Sequence, residues 1–218
     1  MKSLETLPIN IVTIPVTPLR QNCSVLWRKA GHTGTLVDPG GDVDLIMRAV
    51  SNNNITIEKI VLTHGHFDHV AGADELSKML EVSIEGPHVD DKFLLDSVAE
   101  TARNYGIDGA RDVAPDKWLG EGQTCSIAEC DFEVLHCPGH SPGSVVYLNR
   151  TLRFAIVGDV IFKGAVGRSD FPYGDHKALI SNIKNKLLIA DNDDIAFICG
   201  HGSSSSFGHE RSTNPFIV

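Results

Sequence analysis

The chain has 218 residues, enough for one large domain or two small ones with a substantial core. Its formal net charge of −9 argues against general nucleic-acid binding, which needs a basic surface. The start, MKSLETLPINIVTIPV, is broken by Thr13 and Pro15 and does not read as a signal peptide. No uninterrupted apolar run reaches the length of a membrane span, so the expectation is a cytoplasmic chain with no membrane partner.

INIVTIPV, SVLW and GTLVD read as short strands, rich in β-branched residues and separated by turn residues. VDPGGD is a turn into a helix with Asp42 or Asp44 near its start and Leu45, Ile46, Ala49 and Val50 at helical spacing. IEKIVLT is an apolar strand ending at Thr63, followed by a histidine-rich segment and a helix from about Ala71 to Leu80. VSIE is a strand, and Asp90 to Tyr105 reads as one helix with Phe93, Leu94, Val98 and Ala102 on one face. CSIA, FEVLHC, SVVYL and RFAIVGD form a second run of strands. Asp175 to Ile189 reads as a helix with Asp175 as N-cap, and DIAFICGHG is a last strand ending in His201. No repeat or linker divides residues 1–218, so a single domain is expected. Strands, helices, more strands, then helix and strand suggest an α+β fold: two sheets face to face with helices outside, a four-layer αββα sandwich.

The five cysteines, Cys23, Cys125, Cys130, Cys137 and Cys199, are odd in number and include no CxxC; they read as reduced thiols, several of them buried. The ten histidines are unevenly spread, and three fall between His64 and His69. Thr63-His64-Gly65-His66-Phe67-Asp68-His69 packs four donors between a strongly apolar strand and a helix. Imidazole and carboxylate together make a mixed site for zinc, iron or manganese. Gly65 removes a side chain where the backbone must fold tightly. Taken alone, His140 in a Pro/Gly turn, Asp159 in GDV and His201 in GHG are equally loop, cap and turn residues. Together they supply a third nitrogen for each of two ions and a carboxylate between them, and each sits just past a strand.

THGHFDH is similar to the T-H-x-H-x-D-H signature of the metallo-β-lactamase superfamily, and His140, Asp159 and His201 match its later ligand motifs. The resemblance implies that His64, His66 and His140 hold one divalent ion, Asp68, His69 and His201 the other, and that Asp159 bridges them. QNCSVLW, VDPGGD, LHCPGHSPGS, GDVIFKGAVGRSDFPYGD and GHGSSSSFGHERSTNPF further resemble the short glyoxalase II (hydroxyacylglutathione hydrolase) branch, in particular its bacterial YcbL-type members. That likeness implies hydrolysis of S-lactoylglutathione to D-lactate and glutathione, a step of methylglyoxal detoxification. It also implies a small-molecule glutathione thioester as partner and a monomer or small homo-oligomer. Zinc is the first expectation for the metals, iron or manganese the others. Asp68 would be catalytic, orienting the attacking water as well as binding metal. Cys199 and Ser203 flank GHG where the branch carries prolines. The added C-terminal helical region with which longer members grip glutathione is expected to be lacking.

Asp38, Thr63 and Ser141 are candidates to orient the imidazoles. Lys163, Arg168, Tyr173 and Arg211 are candidates for binding the glutathionyl carboxylates. Cys137, His32, His88, His136, His176, His209, Trp27 and Trp118 are read as structural or surface residues. The rival enzyme is a mononuclear-iron glutathione persulfide dioxygenase, which shares a segment like Gly167-Arg168-Ser169-Asp170-Phe171. A lactonase is weaker, and an exported β-lactamase or an RNA-processing enzyme weaker still. A non-catalytic metal-binding paralogue would be expected to have lost a ligand, and none is lost.

Overall fold

The computed structural model describes residues 4–217. One sheet pairs β1 (Ile9–Val16), β2 (Gln21–Arg28), β3 (Thr33–Val37), β4 (Thr56–Val61) and β5 (Ser83–Glu85) in that order. The first two pairings are antiparallel and the last two parallel. Parallel pairs need crossovers, and α1 (Val43–Asn52) and α3 (Ala73–Leu80) supply them, with the one-turn α2 (Phe67–Val70) ahead of α3. Two further short helices follow, α4 (Lys92–Leu95) and α5 (Val98–Asn104).

The second sheet contains β6 (Thr124–Ile127), β7 (Cys130–His136), β8 (Val145–Asn149) and β9 (Phe154–Ile156). A small hairpin, β10 (Ile161–Phe162) and β11 (Ala165–Val166), precedes α6 (His176–Asn182) and a π-helical turn, Ile183–Leu187. β12 (Ala196–Ile198) then pairs in parallel with β9, β13 (Ser205–Ser206) forms the edge, and α7 (Phe207–Thr213) follows.

Side-chain alternation along the strands sorts the apolar residues into three cores. In β2, Val25 and Trp27 pack towards α1 and α3, while Leu26 between them faces the other sheet. In β8, Val145 and Tyr147 face the first sheet, while Val146 and Leu148 pack with Leu179 of α6 and Phe207 of α7. Three apolar layers separate four layers of structure, so the αββα expectation holds. Among the described residues no helix is long and apolar enough to cross a membrane.

Several local expectations differ. β4 stops at Val61, because the Thr63 amide donates to Asp38 Oδ1 rather than continuing the ladder. Asp42 sits at the start of α1, but its carboxylate accepts from the Thr17 amide and does not cap. The single helix read over Asp90 to Tyr105 is broken, since Ser97 Oγ donates back to the carbonyls of Phe93 and Leu94 where α4 ends. Leu95, Val98 and Ala102 are buried, whereas Phe93, assigned to the same face, is 45% exposed. Asp175 caps α6 as expected, accepting from the Ala178 amide at 2.9 Å. The β10–β11 hairpin and α7 were not foreseen; α7 is capped by Ser206.

Candidate metal centre

The ends of β4, β7, β9 and β12 meet on one rim of the sandwich. His64 and His66 follow β4, Asp68 and His69 lie on α2, His140 follows β7, Asp159 follows β9 and His201 follows β12. The fold brings all seven together. His64 Nε2 lies 3.0 Å from His66 Nδ1 and 3.3 Å from His140 Nε2. Beside this group, His201 Nε2 is 3.3 Å from Asp68 Oδ2, and His69 Nε2 is 4.0 Å from the same oxygen. Asp159 touches both groups: Oδ1 is 3.3 Å from His69 Nε2, and Oδ2 is 3.6 Å from His140 Nε2 and 3.5 Å from His201 Nε2. His64, His66 and His140, and Asp68, His69 and His201, are thus two clusters suited to metal ions, with Asp159 in reach of both.

The outward nitrogens explain why the inward ones face each other. His140 Nδ1 faces the Arg168 carbonyl at 2.7 Å, which can only accept, so Nδ1 carries the proton and Nε2 presents a lone pair. His69 Nδ1 donates to Asp38 Oδ2 at 2.9 Å. Thr63 Oγ1 donates to Asp38 and is left to accept from His64 Nδ1 at 3.0 Å. His66 Nε2 is hydrogen-bonded to Tyr173 Oη at 2.9 Å, with Nδ1 turned inward. The inward nitrogens of His64 and His140 therefore present lone pairs to each other at 3.3 Å, a repulsive arrangement that a cation relieves. His69 Nε2 and Asp159 Oδ1 are buried without a hydrogen bond, as expected of atoms shaped for an ion. The donor set fits the implied divalent ions.

The electrostatics divide along the same line. Burial, then the neighbouring imidazoles, hold His64 well below the ordinary histidine range; burial holds His140 below it against the pull of Asp159; burial and His140 push His66 down to about 3. All three are neutral and ligand-competent at pH 7. Burial also opposes a charge on His69, but Asp159 and Asp68 outweigh it and hold that imidazole well above its usual range. Burial pushes the Asp159 carboxyl up, yet His69, His140 and His201 hold it well below the carboxylate range. The three-histidine group is thus neutral, whereas the second group pairs ionised Asp68 and Asp159 with a cationic His69, whose proton a metal ion would displace.

Asp38 and Thr63 hold the imidazoles as expected. Asp38 accepts from the Thr63 amide, the Thr63 hydroxyl and His69, and adopts a left-handed φ of 49° to do so. An amide at this position has one acceptor fewer. Asp38→Asn is therefore expected to weaken metal affinity by about 10–100-fold, read by competition with a chromogenic chelator. Unchanged competition would show that His69 does not depend on this carboxylate.

Asp91 was missed in the sequence. Fully buried, it accepts from the Gly65 amide at 2.7 Å, the Gly143 amide at 2.6 Å and Ser141 Oγ at 2.7 Å. It ties the loop of His64 and His66 to the loop of His140, and Ser141 acts through it rather than on an imidazole. A Cβ on Gly143 would meet Asp91 Cγ at 2.6 Å, so the two loops close around this side chain. Asp91→Asn should weaken the three-histidine group by about tenfold and cost about 1–3 kcal/mol of stability through an unpaired amide. Cobalt titration, in which the two groups fill separately, checks this; equal loss at both groups would contradict it.

The centre floors a cleft of about 540 Å³. Tyr173 and Arg168 line it, and Arg168 pairs with Asp170 at 3.0 Å. Lys163 lies in the β10–β11 turn, outside the lining residues. Arg211 is on α7, paired with Asp193, and also outside them. Cys137 is buried in the core under α6, its thiol pushed up to about 12 by burial. Cys199 packs in the same core and turns Sγ to the carbonyls of His201 and Ser203, bracing the loop that presents His201. All five cysteines are free thiols. Trp27 is buried under α1, and Trp118 packs against the same core. His88 and His136 stack at 4.0 Å away from the cleft, with Asp90 beside them.

Residues 16–201 match the sequence profile of the metallo-beta-lactamase superfamily. The chain is 40% identical to hydroxyacylglutathione hydrolase GloC of Haemophilus influenzae over 210 residues, 96% of this chain and 98% of the relative. Among solved structures it resembles BLEG-1, a B3 metallo-beta-lactamase, with a TM-score of 0.86 and 30% identity over 95% of this chain and 99% of that one. It also resembles TTHA1623 in a di-iron-bound form, with a TM-score of 0.84 and 31% identity over 94% and 99%. Profile, relatives and geometry agree: the chain belongs to the metallo-β-lactamase superfamily and, within it, to the glyoxalase II-like branch.

Proposed function

We propose that this chain is a binuclear metal-dependent thioester hydrolase that cleaves S-lactoylglutathione to D-lactate and glutathione in the cytoplasm. The observation that carries the reading is the pair of donor groups with Asp159 in reach of both. The thioester class is supported by the 40% identical hydroxyacylglutathione hydrolase. His64, His66 and His140 would hold one ion, Asp68, His69 and His201 the other, and Asp159 both. Zinc suits this donor set, and iron and manganese suit it too. Bound there, the ions supply activation of water and polarisation of the thioester carbonyl.

The chain's own groups do the rest. Burial pushes the Asp68 carboxyl up, but His69 and the hydrogen bond to His201 hold it below the ordinary range, so it is ionised and only accepts. It lines the cleft and can orient a water by accepting its proton in a hydrogen bond. Tyr173 stands at the cleft wall with its hydroxyl 2.9 Å from His66 Nε2. Burial pushes its pKa up to about 12, so it stays a donor that can face the carbonyl oxygen or the departing sulfur. A thiol leaving group needs no strong acid, because its pKa lies near about 8.5.

The test is turnover of S-lactoylglutathione by the metal-loaded protein, beside an oxygen electrode trace with glutathione persulfide. The account expects D-lactate and free thiol with no oxygen uptake. Oxygen consumption without thioester cleavage would transfer the chain to the dioxygenase reading.

A further inference from the structure

The walls of the cleft are largely aromatic and apolar. Phe171 stacks on Tyr173 at 5.5 Å and 12°, and its ring lies 5.0 Å from His66 and 5.8 Å from His140. This aromatic wall therefore begins at the three-histidine group itself. A second pair, Phe67 and Tyr105 at 4.7 Å, lies beside Asp68. Leu19, Phe162, Val166 and Pro172 complete the apolar lining. At the mouth, Tyr105 is 65% and Leu19 40% exposed, and exposed Phe93 packs edge-on against Tyr173. Contiguous apolar side chains left in water gain little on folding, and such patches mark contact sites. Arg168, at the rim of the lining, has its exposed guanidinium paired with both oxygens of Asp170 and lying over the Phe171 ring at 4.7 Å.

We infer that the acyl group for which this cleft is shaped is an aromatic one, a 2-aryl-2-hydroxyacyl rather than a lactoyl group, seated on the Phe171–Tyr173 and Phe67–Tyr105 walls. The inference rests on the thioester reading above and narrows its substrate class. A methyl group leaves these walls in contact with water. A phenyl ring in the same position covers them and gains offset or edge-on contact with the flanking rings. Because the scissile bond and the 2-hydroxyl are unchanged, the gain appears as specificity and not as a change of chemistry.

The experiment compares S-mandeloylglutathione with S-lactoylglutathione, which differ by phenyl for methyl, on the metal-loaded protein. Each kcat/KM is divided by the rate constant for plain hydroxide hydrolysis of the same thioester. The corrected ratio is expected to favour mandeloyl by about tenfold or more, since even one methylene in an apolar pocket is worth about 10–200-fold. In Tyr105→Ala the ratio should fall several-fold. A corrected ratio of one or below overturns the inference while leaving thioester hydrolysis standing. A high ratio that survives Tyr105→Ala places the phenyl group elsewhere and overturns the assignment to these walls. Failure to cleave either thioester removes the thioester reading, and the acyl inference with it.

Discussion

Asp159→Ala is expected to leave at most one tightly held metal ion and to lower thioester turnover by at least ~10³-fold, the equivalent of several kcal/mol of lost transition-state stabilisation. The size follows from position. Asp159 is 8% exposed and is the carboxylate whose two oxygens reach both donor groups, at 3.3 Å from His69, 3.6 Å from His140 and 3.5 Å from His201. Its place is fixed from behind by Gly200, where a Cβ would stand 2.1 Å from Oδ1. Elemental analysis and turnover on the same preparation, with circular dichroism to verify folding, check the outcome. A folded variant holding its full metal complement at near wild-type rate would show that Asp159 bridges nothing.

Asp68→Ala is expected to reduce turnover by ~10²–10⁴-fold, the range for losing a positioned acid–base group, while the protein stays folded. Asp68 sits on the one-turn α2 and lines the cleft, with its side chain 14% exposed and its Oδ2 3.3 Å from His201 Nε2. It belongs to no hydrophobic core, so its removal costs little packing. The three-histidine group does not touch it and should retain its ion. The signature is therefore one group filled, one weakened and a slow enzyme. Near wild-type turnover at saturating metal would mean that Asp68 neither orients the water nor matters to the second group.

The part of the centre that the sequence made legible is the part that is local. Thr63 to His69 are contiguous, follow an apolar strand, and contain donors of only two kinds, so their chemistry could be read from composition and spacing. His140, Asp159 and His201 are each ambiguous alone; resemblance to a known family joined them, and the sandwich brings the strand ends together. Asp91 shows what was not legible. In VDDKF it looks like a solvated acid at a helix start, but its partners lie 26, 50 and 52 residues away at Gly65, Ser141 and Gly143. The fold is similar. β8, VVYLN, is buried on both faces and reads as an unbroken apolar run, which identifies an inner strand but not its neighbours. Phe93 fitted a helical face by periodicity, yet Ser97 breaks that helix and the ring stands at the mouth of the cleft.

The central claim is that seven side chains form one centre for two ions. Elemental analysis of protein purified with metal supplied, with thioester hydrolysis followed in the same sample as a chelator strips the metal, tests it most directly. The account predicts close to two ions per chain, loss of hydrolysis as they are removed, and recovery when they are returned. One tightly held iron per chain, with no hydrolysis and no activation by added metal, would contradict it.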